Sequence, residues 1–184
     1  MRLPRMRLTN RNQRGFTLVE LLVALAIEGI LAGGIVAVIF QVSNVSSKSA
    51  DHMTAIKQVE NAAHWLSRDA MMAQTHPSES DNYSSFPLTL TWADWDYTTH
   101  DTTENNVVYT IENGDLKRTQ NVRINGGSWS PTVSLIARYI DPSLEMTHYR
   151  FKNGALEFRI CARVQQGSRV ILEAREYKVI PRPS

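Results

Sequence analysis

The spacing of apolar residues changes character twice along the chain. From Phe16 to Val42 nearly every residue is apolar, and Glu20 and Glu28 are the only charges. At about 1.5 Å per residue, a helix from Leu21 to Phe40 spans roughly 30 Å, the depth of a bilayer's hydrocarbon core. Beyond it a stripe at alternating steps of three and four runs through Val42, Val45, Ser49, His52, Ile56, Val59, Ala63, Leu66, Ala70 and Ala73. Lys48, Asp51, Lys57, Glu60, Arg68 and Asp69 fall on the remaining faces, the pattern of a helix with one side in water. With no proline before Pro77, the two stretches predict one helix over 16–74, with 43–49 as its weakest part. Such a helix is about 88 Å long.

After a polar loop over 75–86 the period becomes two. Leu156, Phe158, Ile160, Ala162 and Val164 alternate with Glu157, Arg159, Cys161 and Arg163, as in a half-buried antiparallel strand. Similar strands are expected at 88–92, 107–112, 116–120, 133–140, 146–151 and 169–180. Asn113-Gly114 and Asn153-Gly154 sit between such runs and supply the positive φ angles of tight hairpin turns. One helix followed only by strands gives an α+β fold, a long N-terminal helix packed on antiparallel β-sheet.

Charge is distributed unevenly. Residues 1–15 hold five arginines (Arg2, Arg5, Arg7, Arg11, Arg14) and no acid, whereas 43–184 hold 15 basic and 16 acidic side chains. The basic excess is therefore confined to a short head, and the folded part offers little to nucleic acid. A basic head directly before an apolar helix stays cytoplasmic, which sends the C-terminal bulk across the membrane. A cleaved secretory signal fits poorly, because its apolar region is usually shorter and uncharged. Cys161 is the single cysteine, so no intrachain disulfide and no multi-cysteine metal site can form.

A carboxylate within the bilayer costs about 3 kcal/mol, so Glu20 calls for an explanation. The run Arg14-Gly15-Phe16-Thr17-Leu18-Val19-Glu20-Leu21-Leu22-Val23-Ala24-Leu25-Ala26-Ile27 resembles the class III signal of the type IV pilin superfamily. The resemblance implies that a prepilin peptidase cuts between Gly15 and Phe16, removing a leader over 1–15, or a ten-residue leader if Met6 is the start. It implies N-methylation of Phe16, and a meeting of Glu20 with the terminal amine of Phe16 on a neighbouring subunit. It further implies as partners other pilins or pseudopilins, an inner-membrane assembly platform and membrane lipid. A buried carboxylate is tolerable once paired with a buried cation.

Glu28 stands where that pattern has an apolar residue. Eight residues beyond Glu20, it points in roughly the same direction, and is either a second assembly contact or a carboxylate without partner. Gly33-Gly34 either permits bending and close helix packing or is simply tolerated.

In the head, the segment around Trp65-Leu66-Ser67-Arg68-Asp69-Ala70 and the run Val107-Val108-Tyr109-Thr110-Ile111-Glu112-Asn113-Gly114-Asp115-Leu116-Lys117-Arg118 resemble J-type minor pseudopilins of type II secretion and W-type minor pilins. The division expected is a leader over 1–15, a membrane and filament-core helix over 16–42, and an extracytoplasmic head over 43–184. Cys161, between Arg159 and Arg163, is expected on a charged strand face where its thiol pKa would fall. No nucleophile with a base is recognisable, the five histidines lack metal spacing, and no enzyme or cofactor is expected. Asp94, Asp96, Asp101 and Glu104 fall in one acidic loop whose carboxylates could attract calcium, although the spacing is not that of an EF-hand. Trp92, Trp95 and Trp129 are core residues or partner contacts. The expected role is a minor subunit of a type IV pilus or type II secretion pseudopilus near the filament tip. The alternative is a single-span anchored module that captures DNA or a secreted substrate.

Overall fold

The computed structural model describes residues 15–182. The arginine-rich head and the alternative start at Met6 lie outside the described residues. The chain falls into two units, one up to Ser46 and one from Ser47. A helix, α1 (Leu18–Met72), begins in the first and ends in the second.

In the first unit every described residue is exposed. The helix there is apolar on all sides, with a mean hydropathy of 2.5 over its most apolar 18-residue window. By length and composition it can cross a membrane. A helix with no polar face has no preferred side to present to a protein core.

The second unit is α+β. Seven strands follow α1 as two antiparallel sheets. One is built from β1 (Leu88–Asp96), β2 (Asp101–Glu112), β3 (Asp115–Ile124) and β4 (Ser130–Ala137), neighbours in that order. The other contains β5 (His148–Lys152), β6 (Ala155–Gln166) and β7 (Arg169–Val179). All seven expected strands form, and they divide into two antiparallel sheets. Sequence alternation specifies which residues share a face and not which strands pair, and the 138–147 connection breaks the ladder between β4 and β5. An isolated bridge between Ile140 and Ala162 is the backbone link there. Both Asn-Gly pairs turn hairpins as expected: Asn113 and Gly114 have φ of 53° and 81°, Asn153 and Gly154 51° and 69°.

The head's core is one cluster that takes Val59, Leu66 and small residues from α1, Leu88, Leu90, Val107, Tyr109 and Leu116 from the larger sheet, and Leu156, Phe158 and Ile160 from the smaller. Ala55, Ala62, Ala63 and Ala70 are all buried, as is Ala73 just past the helix end, so the helix contributes mostly methyl groups and can lie close to its neighbours. The expected stripe is right from Val59 to Ala73. Its earlier part is corrected: Ser49 and His52 are exposed, Ile56 is half-buried, and Ala55 takes the buried position. Asp69, expected on a polar face, is also buried. After Met72 the chain joins β1, with Gln74 and Thr75 amides both donating to the Thr91 carbonyl at 2.9 and 3.0 Å.

Candidate functional site

The helix start supplies the first candidate. Thr17 precedes α1, its amide and hydroxyl both donate to Glu20 Oε2 at 2.9 Å, and the Glu20 amide donates back to Thr17 Oγ1 at 3.2 Å. This is a capping box, in which residues three apart satisfy each other's free donors at a helix N-terminus. In the single chain Glu20 is therefore already hydrogen-bonded. The Thr-x-x-Glu spacing of Thr17-Leu18-Val19-Glu20 is the signal of this box in the sequence. Phe16 is 87% exposed. A Cβ added at Gly15 would meet nothing within 4 Å among the described residues, so none of them makes a demand for glycine there. Glu28 lies two turns along from Glu20, exposed and without an ion-pair partner among the described residues. The same openness surrounds Gly33 and Gly34.

The acidic run in the head is not a loop. Residues 94–96 end β1 and 101–106 begin β2, with Asp96 opposite Asp101 and Ala93 opposite Glu104. Backbone pairing carries this hairpin out to a short turn over 97–100. Each carboxylate has a local partner. Asp94 accepts from the Trp92 indole at 3.1 Å, and Asp96 accepts the Thr98 amide at 2.7 Å, which holds its carboxyl below the usual range. Asp101 accepts from the Asn125 amide group, and Glu104 pairs with Arg123. Among the described residues, no three His, Cys, Asp or Glu side chains gather into a group that could hold a metal ion. Trp92 is buried, while Trp95 and Trp129 are about half exposed, with the Arg123 guanidinium 4.5 Å over the Trp129 ring.

Cys161 is corrected outright. It is 1% exposed, and burial pushes its thiol pKa up rather than down. The reason is the connection between β4 and β5, which folds across this stretch of β6. The Asp141 amide donates to the Cys161 carbonyl at 2.9 Å, and the Cys161 amide donates to Thr147 Oγ1 at 3.2 Å. Earlier on β6, Glu157 anchors a charged group between its two partner strands: Arg150 and Lys178 approach it at 2.6 and 3.1 Å. The hydrogen bond from Arg150 chiefly holds the Glu157 carboxyl below its usual range.

The feature that sequence reasoning missed is a polar chain inside the head. Arg118 on β3 donates from Nε and Nη2 to the two carboxylate oxygens of Asp69, at 2.6 and 3.1 Å. Tyr109 on β2 donates its hydroxyl to the same carboxylate at 2.6 Å. Burial, with the Asp69 charge adding to it, keeps that phenol protonated far above its ordinary range. The chain continues from Arg118 Nη1 to Gln120 at 2.7 Å, and from Gln120 to Asn105 at 2.9 Å. The Trp65 ring lies 5.2 Å from the guanidinium centre. These groups position the helix on the larger sheet, because a bidentate pair is met in only one register. The clue in the sequence was spacing: Asp69 follows Leu66 by three residues, which on a helix places it beside the buried stripe.

Residues 10–36 match the family model described as the prokaryotic N-terminal methylation motif. The chain thus carries the class III signal of a type IV pilin-like precursor, which is the mark of a prepilin peptidase substrate. Comparison with curated proteins and with solved structures found no match.

Proposed function

We propose that the chain is a minor subunit of a type IV pilus or of a type II secretion pseudopilus, J-like or W-like, working near the filament tip. The observation that carries this reading is the methylation signal over 10–36 running directly into a helix that is apolar on all sides and unburied in its own chain. A helix so built is stable in two settings, the lipid bilayer and a bundle of its own kind. Insertion, removal of residues 1–15 and extraction into a filament move it from the first to the second.

In this scheme cleavage falls between Gly15 and Phe16, and the new amine of Phe16 is methylated. Glu20 then exchanges its Thr17 hydrogen bonds for the Phe16 amine of a neighbouring subunit, so the charge remains paired as lipid is left behind. The capping box holds the carboxylate at the helix start until that partner arrives. Glu28, two turns further on and equally exposed, is a second assembly contact. The helix over 16–42 builds the filament core, and the head over 43–184 stands outside the cytoplasm. Prepilin peptidase, other pilins or pseudopilins and the inner-membrane platform are the partners. The head's work is contact rather than chemistry.

The test is mass spectrometry of sheared filaments. A mature chain beginning at N-methylated Phe16, present well below the amount of the main subunit, is the expected result. A chain that keeps residues 1–15 while found only in membranes would overturn the reading.

A further inference from the structure

A strand at the edge of a sheet presents unpaired N–H and C=O groups that another strand can bind, and folded proteins protect such edges with covering chain or with charge. The head has four edges. Along β1, Thr75 forms a bridge with Thr91, and the Gln74 side chain both accepts from the Ala93 amide at 3.0 Å and donates to its carbonyl at 3.2 Å. Along β5, Ser84 and Tyr149 exchange backbone bonds of 2.7 and 3.0 Å, and the Ser80 amide donates to the Phe151 carbonyl at 2.9 Å. The third edge, β7, carries Arg169, Glu173, Arg175, Glu176 and Lys178. Two of these edges are thus covered and one is charged.

The fourth edge, β4, has neither protection. Its sequence Ser130-Pro131-Thr132-Val133-Ser134-Leu135-Ile136-Ala137 contains no charge. Among the described residues its backbone pairs only with β3. Val133 is 64% exposed and Leu135 46%. Pro131, near the start, is the one residue of the usual defensive kind. Immediately after the strand, the Arg138 amide is held by Gln58 Oε1 at 2.7 Å, while its exposed guanidinium makes no ion pair among the described residues.

We propose that the free edge of β4 docks an extended strand from the head of another subunit, uncharged alongside Val133 and Leu135 and acidic where it passes Arg138. The partner's identity as a subunit rests on the filament reading above. Open ladder groups accept only an extended backbone, which adds a strand to the sheet. A charged side chain set against Val133 or Leu135 would lose hydration without gaining a partner. Arg138 supplies the one charge that an occupant can answer. A second copy of β4 does not answer it, because residues 129–139 contain no carboxylate.

The test places a photoreactive benzophenone residue at Val133 or Leu135 of the full chain, in its own cells. The same residue at Leu172 on the charged edge and at Leu21 in the apolar helix gives two controls. The expected adducts at 133 and 135 map to an uncharged segment, ending in Asp or Glu, in the head of a different subunit that bears the class III signal. Leu172 gives none. Arg138→Glu lowers the adduct yield at 135 at least fivefold, and reversing the partner's acid to lysine restores it. Adducts to a second copy, to a helical segment or to nothing, while Leu21 still captures neighbouring helices, overturn the docking strand alone. Loss of the Leu21 adducts as well overturns the subunit reading, and with it this proposal.

Discussion

Asp69 in the last turn of α1 grips Arg118 of β3 through two hydrogen bonds of 2.6 and 3.1 Å, with the acid 2% and the base 7% exposed. Removing one member of a buried pair leaves the other charge uncompensated, which costs about 3 to 5 kcal/mol, whereas replacing the whole group by apolar side chains is often nearly neutral. Asp69→Asn is therefore expected to destabilise strongly. Asp69→Leu combined with Arg118→Met and Tyr109→Phe is expected to recover most of the loss. Urea unfolding of a chain beginning at Ser43 measures both; equal destabilisation by the two would show that the polar chain is itself required for the fold.

The apolar seam makes a second demand on the same helix. Leu66 is fully buried among core residues of both sheets, so Leu66→Ala is expected to cost about 2 to 5 kcal/mol. Lys57 is exposed, and Lys57→Ala should remain within about 0.5 kcal/mol of the parent. Thermal melts that coincide for Leu66→Ala and the parent would refute the packing.

Among the described residues nothing crowds Gly15, so none of them requires glycine there, and the peptidase that cuts after it is the surface expected to do so. Gly15→Leu is expected to leave the precursor uncut, with insertion in the membrane unchanged. Intact-mass measurement of the membrane fraction decides the matter: normal loss of residues 1–15 in that variant would count against cleavage at this bond.

Among the described residues, the Glu20 carboxylate makes its hydrogen bonds with Thr17, at the start of its own helix. Glu20→Ala should be inserted and cleaved as usual yet enter filaments at least tenfold less often. Thr17→Val, which loses the cap hydroxyl and keeps the carboxylate, should have the smaller effect on incorporation. Equal defects in the two would assign Glu20 to helix capping rather than to assembly.

The acid limb of stability should contain Glu157. Its folded pKa lies below the ordinary value because Arg150 and Lys178 donate to it. The unfolded chain consequently binds the proton first, so this stabilisation is complete above the ordinary glutamate pKa of about 4.3 and is lost as pH falls through the lower folded value. Glu157→Gln should be less stable than the parent at pH 7, and the difference should shrink below about pH 4.3. A difference that stays constant from pH 7 to pH 3 would remove Glu157 from the acid response.

The sequence by itself determined the long apolar helix, the methylation signal, the seven strands and the two Asn-Gly turns. Each of these is a local property: a run of apolar residues, a fixed spacing or a period read within about a dozen positions. What only the tertiary structure decided lies across longer separations. The pairing of Asp69 with Arg118, 49 residues away, the division into two sheets, the burial of Cys161 beneath the 138–147 connection and the bare edge of β4 all depend on which segments become neighbours. Alternation tells a residue which face it occupies; only the closed fold determines what covers that face, and thereby whether a charge is paired, a thiol is inert or a strand is left open.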